Sequence, residues 1–433
     1  MQKPDKPWEK PYGKRYKKPK ISSALFLGLL ILSSIFITGS VSAGSAASEE
    51  NTGSFSETFL NQEADFAISL LLNAAGTEIR KGENAMVSPL SVAEALGLTS
   101  SGAVGKTKDQ MLSVFAGGLD QDAFNSYVKK TNERLSESKK TKVNIANAIW
   151  IRKNFSLLES YRKTAKSYYK AHIHTDAAFN AETVKDVNNW VNKETKGMIS
   201  HIVDQFSENT VMELVNAVAF EGKWKLEYQK DQIWKKQNFK NAAGKTEKVT
   251  MLRSTESFYV KLKNGSGFVK PYQDGDLMFM CLLPRKGMST EEFLQSLTGK
   301  KLRDAFRNRQ YIFEPDVLTV TMPEFQAEYR VILNKALKKM GMRNPFTDQA
   351  VFNMTEPNAG LRISNVLHVT YIEVNRKGTK AAAVTAVEMD GATATPIQPK
   401  YYSVTLDRPF VYAIMDQKTA LPVFLGVVNT VSS

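Results

Sequence analysis

The chain has 433 residues, 42% of them hydrophobic, a single cysteine and a formal net charge of +14. That length carries one large domain or two ordinary ones, and one cysteine excludes an intrachain disulfide. Residues 1–20 supply +6 of the charge and residues 21–43 none, so the remaining +8 is spread over residues 44–433, too dilute to argue for nucleic acid.

The basic stretch KRYKKPK (Lys14–Lys20) precedes ISSALFLGLLILSSIFITGSVSA (Ile21–Ala43). A basic region, an apolar core and a small-residue exit make a secretory signal over residues 1–43, with a cleavage site after Ala43. The alternative is an uncleaved membrane anchor over residues 21–43 with the domain outside, since the run approaches the ~20 residues that span a bilayer. Residues 44–54 read as a short flexible segment.

From Phe55 onward the chain reads as one mixed domain, residues 55–433. Glu57–Gly76 has helical periodicity and ends at Gly76. SPLSVAEALGLTSSGA follows, with Ser88 as N-cap and Pro89 at the first helical position. Short helices reach about Ser138, Val143–Ile151 is a strand, and further helices reach about Gly197. Val211–Phe220, Leu277–Pro284, Val317–Phe325, Val366–Val374 and Arg408–Asp416 read as strands. Helices come first and strands later without regular alternation, so the class is α+β and not a doubly wound sheet. Cys281, inside LMFMCLLP, is expected to be buried.

The chemistry-bearing patterns are few. SGAVGKT (Ser101–Thr107) ends like a phosphate loop, but Ser100 stands where the first glycine is required and no strand precedes it. His172 and His174 lack nearby cysteines or clustered carboxylates, so no metal site is expected. His201 and His368 stand alone. No G-x-S-x-G elbow or H-E-x-x-H occurs, and no active site is assembled; the chain is not expected to be an enzyme, nor to need a cofactor. Lys129, Lys130 and Arg134, with Lys139, Lys140 and Lys142 after them, form a basic cluster: a solvated face, or a site for a polyanion such as a sulfated polysaccharide.

The segment GTKAAAVTAVEMDGATAT (Gly378–Thr395) is too long for a hairpin turn yet is written like a strand. Read with period two, one face carries Thr379, Ala381, Ala383, Thr385, Val387, Met389 and Gly391. The other carries Lys380, Ala382, Val384, Ala386, Glu388 and Asp390, and so holds all three charges. A strand sends alternate side chains to opposite faces, so this segment could pair inside a sheet with its uncharged face down; the alternative is a flexible loop.

Several long blocks, in order, resemble the serpins from about Phe55 to Val431. NAMVSPLSVAEALGLTSSGAVGKTKDQM (Asn84–Met111) is similar to that family's "SPLS…ALxxLxxGAxGxTxxQ". VNNWVNKETKGMI (Val187–Ile199) resembles "INxWVxxxTxGKI", and LVNAVAFEGKW (Leu214–Trp224) resembles "LVNAxxFKGxW". LHVTYIEVNRKGTKAAAVTA resembles the family's hinge, and DRPFVYAIMDQKTALPVFLGVV its C-terminal strand pair. The resemblance implies the serpin fold, helices packed on three β-sheets, with an exposed, insertable reactive loop at about residues 376–400. It implies a monomeric suicide inhibitor of serine proteases, and by extension of cysteine proteases, that traps the acyl-enzyme when the cleaved loop enters the central sheet. About fourteen residues at ~3.3 Å each would add roughly 46 Å of strand.

The resemblance also assigns residues. Gly378 matches the hinge glycine, Thr379 the first inserting residue, and Ala381, Ala382 and Ala383 the small-residue stretch of inhibitory members. Ser88, Ser91, Asn216 and His368 match a polar cluster under the sheet, and Trp224 the point of loop entry. Counting on from Gly378 places the scissile bond at Ala392–Thr393, which suits proteases with a shallow, elastase-like first pocket; a long following segment leaves Ala394–Thr395 as an alternative. One departure stands out. Many members have Glu two residues before the hinge glycine and Lys after the proline of a neighbouring strand, whereas Arg376 and Glu324 stand here with the signs exchanged, and an ion pair between them is expected. The alternative function is a non-inhibitory binding protein on the same fold. Sequons at Asn154, Asn264 and Asn353 matter only in a glycosylating host.

Overall fold

The computed structural model describes residues 55–138, 140–356, 360–379 and 398–431. The helix α1 runs Glu57–Arg80, capped by the Ser56 side chain. It continues past Gly76, where the sequence predicts its end. The cost of a mid-helix glycine, about 1 kcal/mol, is outweighed because the added turn buries Ile79. Helix α2, Pro89–Ser100, starts as predicted, with Ser88 as N-cap and Pro89 in the first turn. Helix α3 spans Gln121–Glu137 and helix α4 Ala181–Glu194.

Five long strands build the central sheet: β1 (Thr141–Arg152), β2 (His172–Ala177), β3 (Met212–Lys223), β4 (Phe325–Ile332) and β5 (Asn365–Val374), in the order β4-β5-β3-β1-β2. A short strand, β6 (Gly378–Thr379), pairs with β3 off that path. Strand β2 falls where the sequence predicts helix; its partner is the parallel strand β1, a non-local pairing that helical periodicity cannot register. The predicted strand Val317–Phe325 divides at Glu324. Val317–Pro323 joins a four-stranded sheet with Tyr401–Thr405, Thr246–Glu256 and Ile233–Lys240, while Phe325 opens β4. Pro323 has no N–H to extend the ladder, and the Glu324 N–H goes instead to the Thr250 carbonyl at 2.9 Å.

A seven-stranded sheet contains Leu277–Pro284, Phe410–Asp416 and Pro422–Val428 side by side. Every residue of Leu277–Pro284 is buried, Cys281 included. The expected three sheets are therefore present, with a further pairing of two residues each, Ser156–Leu157 with Thr355–Glu356.

Alternation along β3 divides the core. Met212, Leu214, Val218 and Phe220 pack into the clusters that include α2 and the seven-stranded sheet. Val215 and Ala217 pack on the opposite face with Trp150 and with Val187 and Val191 of α4. The middle of the central sheet is thus covered on both sides, and its strands read as continuous apolar runs.

Candidate functional site

Strands β3 and β5 run parallel and pair from Glu213–Asn365 to Ala219–Tyr371. Above Tyr371 they part. The chain beyond β5 turns at Asn375–Gly378, and β6 returns antiparallel against β3, with Gly378 opposite Lys223 and Thr379 opposite Gly222. This pairing occupies the top of the seam between β3 and β5.

Gly378 is required there. Its φ is 122°, and a Cβ would lie 2.4 Å from the Gly222 carbonyl oxygen and 2.6 Å from the Trp224 nitrogen. Trp224, expected at the point of loop entry, is fully buried and stacks on Tyr272 with centroids 4.7 Å apart. Its indole N–H donates to the Asn375 carbonyl at 2.9 Å, and the Tyr228 N–H donates to the Arg376 carbonyl at 3.0 Å. Behind it lies a buried ion pair, Lys270–Glu256 at 2.5 Å, with the ammonium 4.7 Å from the Tyr228 ring and 5.6 Å from Trp224. Neither Lys270 nor Glu256 is singled out by the sequence; a lysine inside the otherwise uncharged strand Gly265–Pro271 was the available signal.

The Arg376–Glu324 expectation is corrected. The two residues meet, but the Glu324 carboxylate accepts from the Arg376 backbone N–H at 3.1 Å, and no ion pair joins their side chains among the described residues. A carboxylate that holds a turn through a main-chain amide is indifferent to the side chain that follows. Arg376→Ala is therefore expected to change the unfolding midpoint negligibly, and Glu324→Ala to cost about 1 kcal/mol. A double-mutant cycle should be additive; a coupling well above the ~0.5 kcal/mol limit of additivity would restore the ion pair.

Beneath the middle of the seam, the predicted cluster comes together, with Ser88, Ser91, Asn216 and His368 all fully buried. The Asn216 amide faces the Ser91 carbonyl (3.0 Å), the Ser91 hydroxyl and the Asn147 side-chain oxygen (2.6 Å). Its own oxygen is 2.5 Å from His368 Nδ1, and His368 Nε2 accepts from the Ser88 N–H at 3.1 Å. Burial pushes the His368 imidazole down to about 3, so it is neutral, with Nδ1 the donor. Asn216 on β3 and His368 on β5 are direct neighbours across the seam. Sequence reasoning missed two members, Asn147 of β1 and Glu94 of α2, whose Oε2 accepts from the Asn147 amide at 3.3 Å. A polar residue inside VNIANAIWI and an acid inside a helix whose twelve residues are all buried were the signals.

Elsewhere the expectations fare differently. Arg134 of the basic cluster turns inward to the carboxylate of Asp416, leaving Lys129 and Lys130 exposed and a smaller positive face than the sequence implies. His174 stacks on Trp150 at 4.3 Å, and His201 meets Asp204 at 2.7 Å. No cluster of metal-ligating side chains occurs among the described residues. Ala381, Ala382, Ala383 and the bonds Ala392–Thr393 and Ala394–Thr395 lie outside the described residues, as does the segment 1–54.

The central sheet thus carries a polar cluster pinned across its β3–β5 seam, with the short strand β6 paired at the top of that seam. The chain belongs to the serpin family: the family model described as serpin (serine protease inhibitor) matches residues 61–431. The native-state structure of the thermophilic serpin tengpin is 36% identical, with a TM-score of 0.78 over 89% of this chain and 96% of that one. An uncharacterized serpin-like protein of Methanosarcina acetivorans is 27% identical over 93% of this chain and 97% of its own length. Human thyroxine-binding globulin, at 23% identity, shares the fold over 87% of this chain and 99% of its own, with a TM-score of 0.74.

Proposed function

We propose that this serpin is an exported suicide inhibitor, and not an enzyme, that traps serine proteases of elastase-like preference by inserting its cleaved loop between β3 and β5. The observation that carries the reading is the antiparallel pairing of Gly378 and Thr379 with Lys223 and Gly222. Continued down β3 in the same register, it sets Ala381 opposite Phe220, Ala383 opposite Val218, Thr385 opposite Asn216 and Val387 opposite Leu214. Directly opposed residues of an antiparallel pair share a face, so the uncharged face of the segment goes to the core. Thr385 arrives between Asn216 and His368, where its hydroxyl can donate to one and accept from the other, replacing the bond that insertion breaks.

The charged face fits as well. Lys380 falls opposite Glu221. Glu388 falls opposite Glu213, whose carboxyl burial pushes up to about 8, so that it carries no charge at neutral pH to repel the newcomer. A non-inhibitory binder of the kind that thyroxine-binding globulin represents has no need of an insertable face, and the small, alternating segment favours inhibition over it.

The bond is tested by mass spectrometry of the peptide released after incubation with pancreatic elastase. A peptide beginning at Thr393 is expected, and one beginning at Thr395 moves the site to the alternative bond. A peptide beginning before Met389 leaves too short a strand to cross the sheet and overturns the reading.

A further inference from the structure

Glu94 is an acid in a wholly buried helix, and the seam reaches it in two steps. Asn147 donates to Glu94 Oε2 at 3.3 Å and accepts from the Asn216 amide at 2.6 Å, and Asn216 holds His368 at 2.5 Å. Glu94 Oε1 is buried without a hydrogen-bond partner. The side chain lines a cavity of about 190 Å³ with Asn132 of α3, Asn147, Tyr169, Lys170, His172 and Glu194. Strands β1 and β3 pair over eleven residues, from Thr141–Gly222 to Ile151–Met212, so in the insertion proposed above, on which this inference rests, opening the seam carries them away from β5 as one body. The Glu94–Asn147 bond joins α2 to that moving body, as the Ser91–Asn216 contacts do.

We infer that Glu94 is a positioning residue whose proton holds β1 and β3 against α2, so that losing the proton loosens the seam. A neutral carboxyl can remain in this interior and accept the Asn147 amide. A carboxylate cannot remain there unsolvated. Lys170 and the cavity then become the better partners, the proton leaves to solvent through the cavity, and Asn147 loses its anchor. Burial pushes the Glu94 carboxyl up to about 8, against the pull of Asn132 and Lys170. The other titratable groups that face it are Tyr127, Tyr169, His172 and Glu194. The native form keeps this proton up to about 8, whereas the unfolded chain releases it near 4.5. The unfolded state therefore binds fewer protons in that window, and the contribution of Glu94 to stability falls as pH rises through it.

The test is amide hydrogen exchange of the whole chain between about pH 6.5 and about pH 9.5, with rates corrected for base catalysis, and it needs no protease. Failure here and failure of the inhibitor reading are therefore separate results. In the wild type, peptides from β3 and β5 should lose protection as pH rises from about 6.5, approaching tenfold per pH unit, and level off at a break near pH 8, while Leu277–Pro284 does not change. Glu94→Gln should abolish the dependence. Lys170→Gln, at an exposed position, should move that break upward, because Lys170 favours the ionised carboxyl. A wild type without pH dependence, or a Glu94→Gln variant that follows the wild type, overturns the inference. Should Glu94→Gln not fold, an unmoved break in Lys170→Gln does the same.

Discussion

Thr379→Arg is expected to leave the protein a substrate only: pancreatic elastase cuts the variant, leaves it and stays active. Position 379 is paired with Gly222 at the top of the seam, and in the proposed mechanism it leads the cleaved loop into the sheet. The face it shares is closed by aromatic rings, since a Cβ built on Gly222 would meet Phe220 at 2.7 Å and Tyr272 at 2.8 Å. A guanidinium brought there without a carboxylate partner costs several kcal/mol, even after the relaxation that real interiors allow. Trapping is a race between insertion and deacylation. Slowing insertion by even ~3 kcal/mol, about a hundredfold in rate, gives the race to deacylation. The measurement is the number of inhibitor molecules consumed per protease molecule inactivated. It should rise at least about tenfold, whereas an unchanged ratio would count against loop insertion.

The second large effect is expected from Asn216→Ala. Asn216 is the only residue among those described that bonds Ser91, Asn147 and His368 together. Removing its side chain leaves the His368 Nδ1–H and the Asn147 side-chain oxygen without their partner. At about 1–3 kcal/mol for each buried group left unpaired, the intact form should lose about 3–5 kcal/mol, read as a lowered midpoint of denaturant unfolding. The pH dependence of the wild type follows from the same cluster. The His368 imidazole is depressed to about 3, whereas the unfolded chain takes up a proton near 6.5. The unfolded state binds more protons between those values, so the His368 contribution to stability grows as pH rises from about 3 and is complete above about 6.5. In Asn216→Ala, with the packing around the ring broken, that slope should flatten. A midpoint within error of the wild type would show that the cluster does not hold the seam.

How much of this was legible in the sequence depends on what each residue reports. Ser88 and Pro89 announced the start of α2 because capping is a local property. Leu277–Pro284 announced itself as a buried strand because all of its neighbours are apolar. By contrast, β2 could not be read, since its identity comes from pairing with β1, and Ile233–Lys240, with most of its side chains exposed, has almost no apolar alternation to read. The cluster of Ser88, Ser91, Asn216 and His368 was legible only through the family resemblance; taken singly, each residue looks like an ordinary cap or a satisfied core group. Arg376 and Glu324 were paired correctly in space and wrongly in chemistry. Sequence spacing shows which residues a turn brings together, not whether a carboxylate prefers a side chain or the main chain. Glu94 was visible as a charge in an apolar helix but had no meaning until Asn147 was seen to connect it to the seam.

The most direct test of the insertion account is denaturing electrophoresis of the intact protein after incubation with an equimolar amount of pancreatic elastase. The account predicts a covalent complex band that survives boiling in detergent, at the summed size of the protease and the large cleavage fragment. Cleaved fragments beside fully recovered protease, with no such band at any incubation time, would contradict it.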